Sequence, residues 1–72
     1  MAIDKITIAA ARKNIGITQE KLAALCGVSA KTVGNWEAYK TEPTVSQAKK
    51  IASAVNLDID DICFLPRNTV KP

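Results

Sequence analysis

Two short helices separated by a glycine are predicted by the stretch TQEKLAALCGVSAKTVGNWEAY, residues 18–39. In its first half Leu22 and Cys26 lie one helical turn apart, so they share one face of a helix. Gly27 is the expected end of this helix. Ser29 is a suitable start for the next, because its hydroxyl can accept hydrogen bonds from the unpaired amides of a first turn. The stretch therefore predicts two helices joined by a tight turn.

Helical spacing of apolar residues predicts three further helices around this pair, which makes the fold class all-α. The five predicted helices span residues 4–14, 19–26, 30–38, 45–55 and 59–64. Thr44 and Gln47 have the spacing of a capping box, in which each side chain bonds the other residue's backbone amide. Asn56 is expected to be left-handed at the end of helix four, and Asp58 and Asp61 to form a weaker cap for the short fifth helix.

The chain of 72 residues is expected to form one domain, residues 1–65, followed by a flexible tail, residues 66–72. A domain of this size buries only about 60% of the surface that its unfolded chain exposes. Modest stability, or stabilisation by dimerisation, is therefore expected. The tail shows no helical spacing, and Pro66 stops the last predicted helix.

The net charge of +3 favours an anionic partner without identifying one. Residues 1–57 contain eight basic and four acidic residues, whereas residues 58–72 contain two basic and three acidic ones. The positive charge thus lies in the part of the chain that holds the two central helices. A solvated surface with scattered charge is the alternative explanation.

The residue content argues against metal, cofactor and catalytic chemistry. The chain has no His and only two cysteines, Cys26 and Cys63, which excludes a four-ligand structural zinc site. Cys26 lies on the apolar face with Leu22, as a small buried thiol does in a core. No Cys or Ser has a recognisable base partner, and no phosphate-binding loop is present. No catalytic residues, no metal, no cofactor and no enzymatic activity are therefore expected.

The location predicted from the sequence is cytoplasmic. The N-terminal residues include Asp4 and Lys5 and lack the continuous apolar run of a signal peptide. No stretch of the chain approaches the length needed to span a bilayer. A soluble protein without a membrane partner is expected.

The combined spacing of these motifs resembles the phage-repressor and Cro-type, or lambda-repressor-like, helix-turn-helix family. The resemblance covers about residues 6–62. It is carried by Gly16–Glu20, Gly27–Ser29, Trp36–Glu37, Pro43 and Lys50–Ala52. It implies a compact five-helix domain whose third helix enters the DNA major groove while helix two braces it across the backbone.

The resemblance implies that bases are contacted from the outer face of helix three. The residues concerned are Ala30, Lys31, Thr32 and Asn35. Lys31 can donate to guanine acceptors, Thr32 offers a hydroxyl or a methyl, and Asn35 can pair with adenine. Ala30 stands where several members of the family carry a glutamine, and its methyl group allows only apolar contact.

Contacts with the DNA backbone are implied at Gln19, Ser29, Tyr39, Lys40 and Thr41. Gln19 matches a glutamine that contacts a phosphate at the start of helix two in the family. Lys40 and Thr41 match a loop that touches the sugar-phosphate backbone, which positions a domain without reading sequence. Tyr39 replaces a glycine that often follows helix three, and is expected to be either a phosphate donor or a packed ring.

Two features near these contacts depart from the family's pattern. Gly34 lies inside helix three, where glycine costs about 1 kcal/mol relative to alanine, although it can permit a close approach by a neighbour. Glu42 places an acid in the loop that should face phosphates. Few phosphates would be neutralised, so weak binding by a monomer is expected.

Arg12 and Glu37 match positions that form a buried or half-buried ion pair between helices one and three in many members of the family. Glu37 follows Trp36 on an inward-leaning face, and a carboxylate buried there without a partner would be costly. A structural role is therefore expected for this pair.

These observations predict a small sequence-specific transcriptional regulator, Cro-like or a short repressor, that binds double-stranded DNA as a homodimer. The alternative is a protein-binding modulator or antirepressor of another transcription factor built on the same fold. Phe64, Leu65, Ala30 and Tyr39 are the candidate apolar contacts for such a protein partner.

Overall fold

The computed structural model describes residues 5–64 of the chain. Its elements in chain order are β1 (Ile6–Thr7), α1 (Ile8–Asn14), α2 (Gln19–Cys26), α3 (Ala30–Glu37), α4 (Val45–Ala54), a 3₁₀ turn (Ile59–Asp61) and β2 (Ile62–Cys63). The mainly helical architecture is as predicted, but the expectation of five helices is wrong, because the fifth is reduced to a single 3₁₀ turn. The boundaries predicted for the second helix agree with α2 at both ends.

All four α-helices begin in the same way. A Ser or Thr in extended conformation precedes each one, and its hydroxyl accepts the N–H of the residue three positions further on. The four pairs are Thr7 with Ala10, Thr18 with Lys21, Ser29 with Thr32, and Thr44 with Gln47. Gln47 also accepts the Thr44 N–H at 2.8 Å, which confirms the predicted capping box. These local bonds fix where each helix starts.

The four α-helices also end alike, each with a residue in left-handed conformation. The four residues are Gly16, Gly27, Tyr39 and Asn56, with φ angles between 60° and 74°. In each case the N–H of the next residue bonds the carbonyl five positions back, which closes the helix end. The prediction for Asn56 is confirmed, and at Tyr39 the backbone takes the glycine-like conformation despite its side chain.

The predicted start of helix one is wrong, because α1 begins at Ile8. Ile6 and Thr7 form β1 instead, which pairs in parallel with β2, Ile6 opposite Ile62 and Thr7 opposite Cys63. The β-branched residues before the helix suit this extended pairing. Asp4, where the helix was expected to begin, lies outside the described residues.

The same pairing explains the missing fifth helix. After the 3₁₀ turn the chain becomes extended at Ile62, whose side chain is buried. Asp58 does occupy the N-cap position of this turn, but its side chain makes no capping hydrogen bond. Without a cap, and with the next residues needed by the strand, the turn does not grow into a helix.

The core lies between the helices, and α2 packs against both α3 and α4. Its largest fully buried side chains are Trp36, Ile8, Leu22, Ile51, Ile62 and Val33. Cys26 is buried in this cluster as a free thiol, and burial raises its pKa. Cys63 is half-buried. The two central helices are therefore held rigidly by contacts on their inner faces.

None of the helices within residues 5–64 is long and apolar enough to cross a membrane. The predicted tail, residues 66–72, and Leu65 lie outside the described residues.

Candidate nucleic-acid interface

A three-residue turn sets the angle between α2 and α3. Gly27 adopts a φ of 74°, and the Val28 N–H bonds the Ala23 carbonyl at 3.0 Å. An added Cβ at Gly27 would meet no atom within 4 Å, so the backbone conformation, rather than crowding, requires the glycine. Ser29 then caps α3. Because both helix ends are closed by hydrogen bonds, the turn presents α3 in one orientation.

The predicted base-contacting residues follow one another along α3. Lys31 is exposed, Thr32 and Asn35 are half-buried, and Val33 between them is fully buried. Ala30 is half-buried and packs against the core, so part of its methyl surface is already covered. A cation, a hydroxyl and a carboxamide are thus the polar groups available on this part of the helix.

The Ser29 and Thr32 hydroxyls are close to each other at the start of α3. Their oxygens lie 3.0 Å apart, and the Ser29 oxygen also accepts the Thr32 N–H at 3.2 Å. A hydroxyl has one donor and two acceptor positions. Ser29 therefore caps the helix, and both hydroxyls retain capacity for a further contact.

Gln19, the first residue of α2, is hydrogen-bonded to α3. Its amide nitrogen donates to Glu37 Oε1 at 2.9 Å. A Cβ added at Gly34 would lie 3.9 Å from the same nitrogen. The side chain of Gln19 thus crosses from α2 to α3, above Gly34 and beside Glu37.

Arg12 and Glu37 form a nearly buried ion pair between α1 and α3. Arg12 Nε donates to Glu37 Oε2 at 2.7 Å, and a longer bond of 3.3 Å joins Nη2 to Oε1. The exposed fractions of the two side chains are 11% and 10%. Arg12 Nη1 also donates to the Ile17 carbonyl at 2.9 Å, which ties the loop after α1 to the pair.

The charges of this pair stabilise each other. Burial raises the pKa of Glu37, but the hydrogen bonds from Arg12 and Gln19 and the nearby positive charges of Arg12 and Lys13 bring it below its ordinary value. The hydrogen bond from Glu37 raises the pKa of Arg12, against the opposing effect of burial. Glu37 is therefore ionised at neutral pH.

The loop after α3 carries the remaining predicted backbone contacts. Lys40 and Thr41 are exposed, as is Glu42, and Tyr39 is half-buried. The Lys40 N–H bonds the Asn35 carbonyl at 2.9 Å, which fixes the direction in which the loop leaves α3. A cleft of about 320 Å³ is lined by Tyr39, Lys40, Thr41, Glu42 and Phe64.

A comparison with known families agrees with this arrangement. A helix-turn-helix family matches residues 8–62, which is most of the chain. The chain belongs to the phage-repressor and Cro-type helix-turn-helix family. No curated protein matches the chain. All the base and backbone contacts predicted for this helix-turn-helix protein lie inside the matched range.

Two contacts of the helix-turn-helix domain were not predicted from the sequence. One joins Gln19 to Glu37, and the other joins Arg12 to the Ile17 carbonyl. A carboxylate offers about four acceptor positions, of which a bidentate arginine uses two. That spare capacity at Glu37 was the signal for a further donor, but only the packing of α2 on α3 identifies Gln19 as that donor.

Proposed function

We propose that this protein is a sequence-specific DNA-binding transcription regulator that places α3 in the major groove and binds two half-sites as a homodimer. The observation that carries the proposal is the outer face of α3. Lys31, Thr32 and Asn35 lie there together, on a helix fixed by the core and the turn. These side chains have the donors and acceptors that read base edges in the major groove.

The surrounding residues supply contacts that are independent of sequence. Lys40 and Thr41 are exposed in the loop that follows α3, and Gln19, the first residue of α2, is hydrogen-bonded to Glu37 at the end of α3. Cations and amides at such positions bind phosphate oxygens and set the register of the protein on the duplex. Half-sites about one helical turn apart would bring two copies of α3 to one face of the DNA.

Selection from random duplex DNA at low and moderate salt tests this proposal. An enriched motif is expected, and Lys31→Ala and Asn35→Ala should each lower affinity for it by about 1–3 kcal/mol and relax specificity at one position. Lys49→Ala removes another exposed lysine, from α4, and is the control, with little expected change. Lys40→Ala should weaken binding to all sequences and reduce the salt slope by about 1.

The protein-binding alternative has some support from the same surface. Ala30 is partly covered by the core, and Glu42 adds an exposed acid to the loop, so both reduce what α3 and its loop offer to DNA. Absence of an enriched motif, together with a stable complex with another transcription factor, would favour the modulator function over DNA binding.

A further inference from the structure

The two carboxylate oxygens of Glu37 have different principal hydrogen-bond donors. Oε2 accepts the short bond from Arg12 Nε at 2.7 Å. Oε1 accepts a hydrogen bond from the Gln19 amide at 2.9 Å, and its contact with Arg12 Nη2 is longer, at 3.3 Å. Arg12 therefore anchors the carboxylate, and the anchored carboxylate in turn holds Gln19.

This contact fixes the orientation of the Gln19 amide. A carboxylate can only accept hydrogen bonds, so the amide must turn its nitrogen, and not its oxygen, towards Glu37. The amide nitrogen has two N–H groups, and one of them is used in this bond. The second N–H and the amide oxygen have no hydrogen-bond partner within residues 5–64. The planar amide therefore presents this second N–H in one defined direction.

We infer that Glu37 is a positioning residue for DNA binding, which holds the Gln19 amide so that its second N–H is available to a phosphate oxygen of the duplex. The inference rests on the proposed function. It gives the ion pair a role beyond stability: Arg12 acts through Glu37, and Glu37 acts through Gln19. Ordering a side chain before binding is worth about two- to tenfold in affinity, because its rotamer freedom is not lost on association.

The DNA-free protein allows the first test, by side-chain ¹⁵N relaxation. The Gln19 amide of the wild type should have an order parameter of about 0.85, as in rigid backbone, and Glu37→Gln should lower it below about 0.6. The Gln47 amide bonds Thr44 and not Glu37, so its order parameter should be the same in both proteins and is the internal control. An unchanged order parameter for Gln19 in a folded Glu37→Gln protein would overturn the inference.

A double-mutant cycle on the selected DNA sequence is the second test. Gln19→Met keeps the length of the side chain but removes the amide, and should lower the affinity of the wild type about tenfold. In a Glu37→Gln background the same change should cost less than about twofold, because a carboxamide has an oxygen at only one of the two positions that Arg12 Nε and the Gln19 amide bond in Glu37. Lys40→Ala, a control in the neighbouring loop, should have the same effect in both backgrounds.

Folding of each variant is checked by the fluorescence of Trp36, which is buried in the core. If Glu37→Gln does not fold, Glu37→Asp replaces it. Aspartate keeps an anion beside Arg12, but its side chain is one methylene shorter and cannot hold both Arg12 and Gln19, so the Gln19 amide should become mobile and Gln19→Met should cost less than about twofold in affinity.

The outcomes separate this inference from the proposed function. Additive effects of Gln19→Met and Glu37→Gln on a protein that does select a DNA motif would refute the positioning role alone. A wild type that selects no DNA would refute the phosphate contact and the proposed function together, whatever the rigidity of Gln19. A rigid Gln19 amide combined with a non-additive cycle would establish the inference.

Discussion

Replacement of Arg12 by alanine is expected to destabilise the fold more than any other single truncation of a charged side chain in the described part of the chain. The change removes the bonds at 2.7 and 3.3 Å to Glu37 and the bond at 2.9 Å to the Ile17 carbonyl. It leaves the Glu37 carboxylate, whose side chain is 10% exposed, with Gln19 as its remaining hydrogen-bond donor. Isolating a buried charge in this way costs about 3–5 kcal/mol.

That cost is large compared with the stability of so small a protein. At about 0.05–0.15 kcal/mol per residue, the expected free energy of unfolding is about 4–11 kcal/mol. Arg12→Ala should therefore remove about a third or more of the free energy of unfolding, and at the lower end of this range it should unfold the protein at 25 °C. Urea denaturation followed by the fluorescence of Trp36, the only tryptophan in the chain, measures the change directly.

Two further variants identify the cause of the loss. Lys13→Ala removes the adjacent, exposed basic residue of α1 and should change the free energy of unfolding by less than about 0.5 kcal/mol. Arg12→Met combined with Glu37→Met removes both charges and should recover most of the stability, because no buried charge is left unpaired. A loss below about 1 kcal/mol for Arg12→Ala, or lost DNA binding at unchanged stability, would refute the reasoning.

Three other expectations concern stability and have separate measurements. The pKa of Glu37 is lowered in the folded state, so the ionised carboxylate stabilises the fold above about pH 4.3, and this stabilisation is lost as the pH falls through the folded-state pKa. Urea titrations at several pH values should show this loss in the wild type and not in Glu37→Gln. Gly34→Ala should raise the free energy of unfolding by about 1 kcal/mol, since the new Cβ would meet only the Gln19 amide, at 3.9 Å; a lower melting temperature would contradict this. Asn56→Ala places an alanine at a φ of 63° and should cost about 1 kcal/mol, whereas Asn56→Gly in the same thermal melts should cost less.

The helix boundaries were predictable where side chains act on their own backbone. Thr18, Ser29 and Thr44 each bond an amide three residues away, so the signal and its effect lie within one turn of chain. The left-handed Gly27 and Asn56 follow from the same local preference. Tyr39 shows the limit of this reasoning, since a closed helix end imposes a left-handed backbone on a residue that does not favour it.

The first and last elements could not be predicted in this way. Ile6 has helical spacing relative to the apolar residues that follow, yet it pairs with Ile62, far along the chain. Local spacing cannot distinguish a helical residue from one whose backbone groups bond a distant strand. Whether Ile6 is helical or extended depends on where the packing of α4 and the 3₁₀ turn places β2.

By itself the sequence determined the starts of α2, α3 and α4, the turn between α2 and α3, the apolar faces that pack together, and the polar residues on α3. All of these depend on interactions within a few residues or on which face of a helix a residue occupies. Tertiary structure alone decided that Gln19 reaches Glu37, although 18 positions separate them, and that Arg12 also holds the Ile17 carbonyl. Those bonds exist because the packing of α1, α2 and α3 brings one buried carboxylate within reach of two donors, and a buried charge is stable only where such donors meet it.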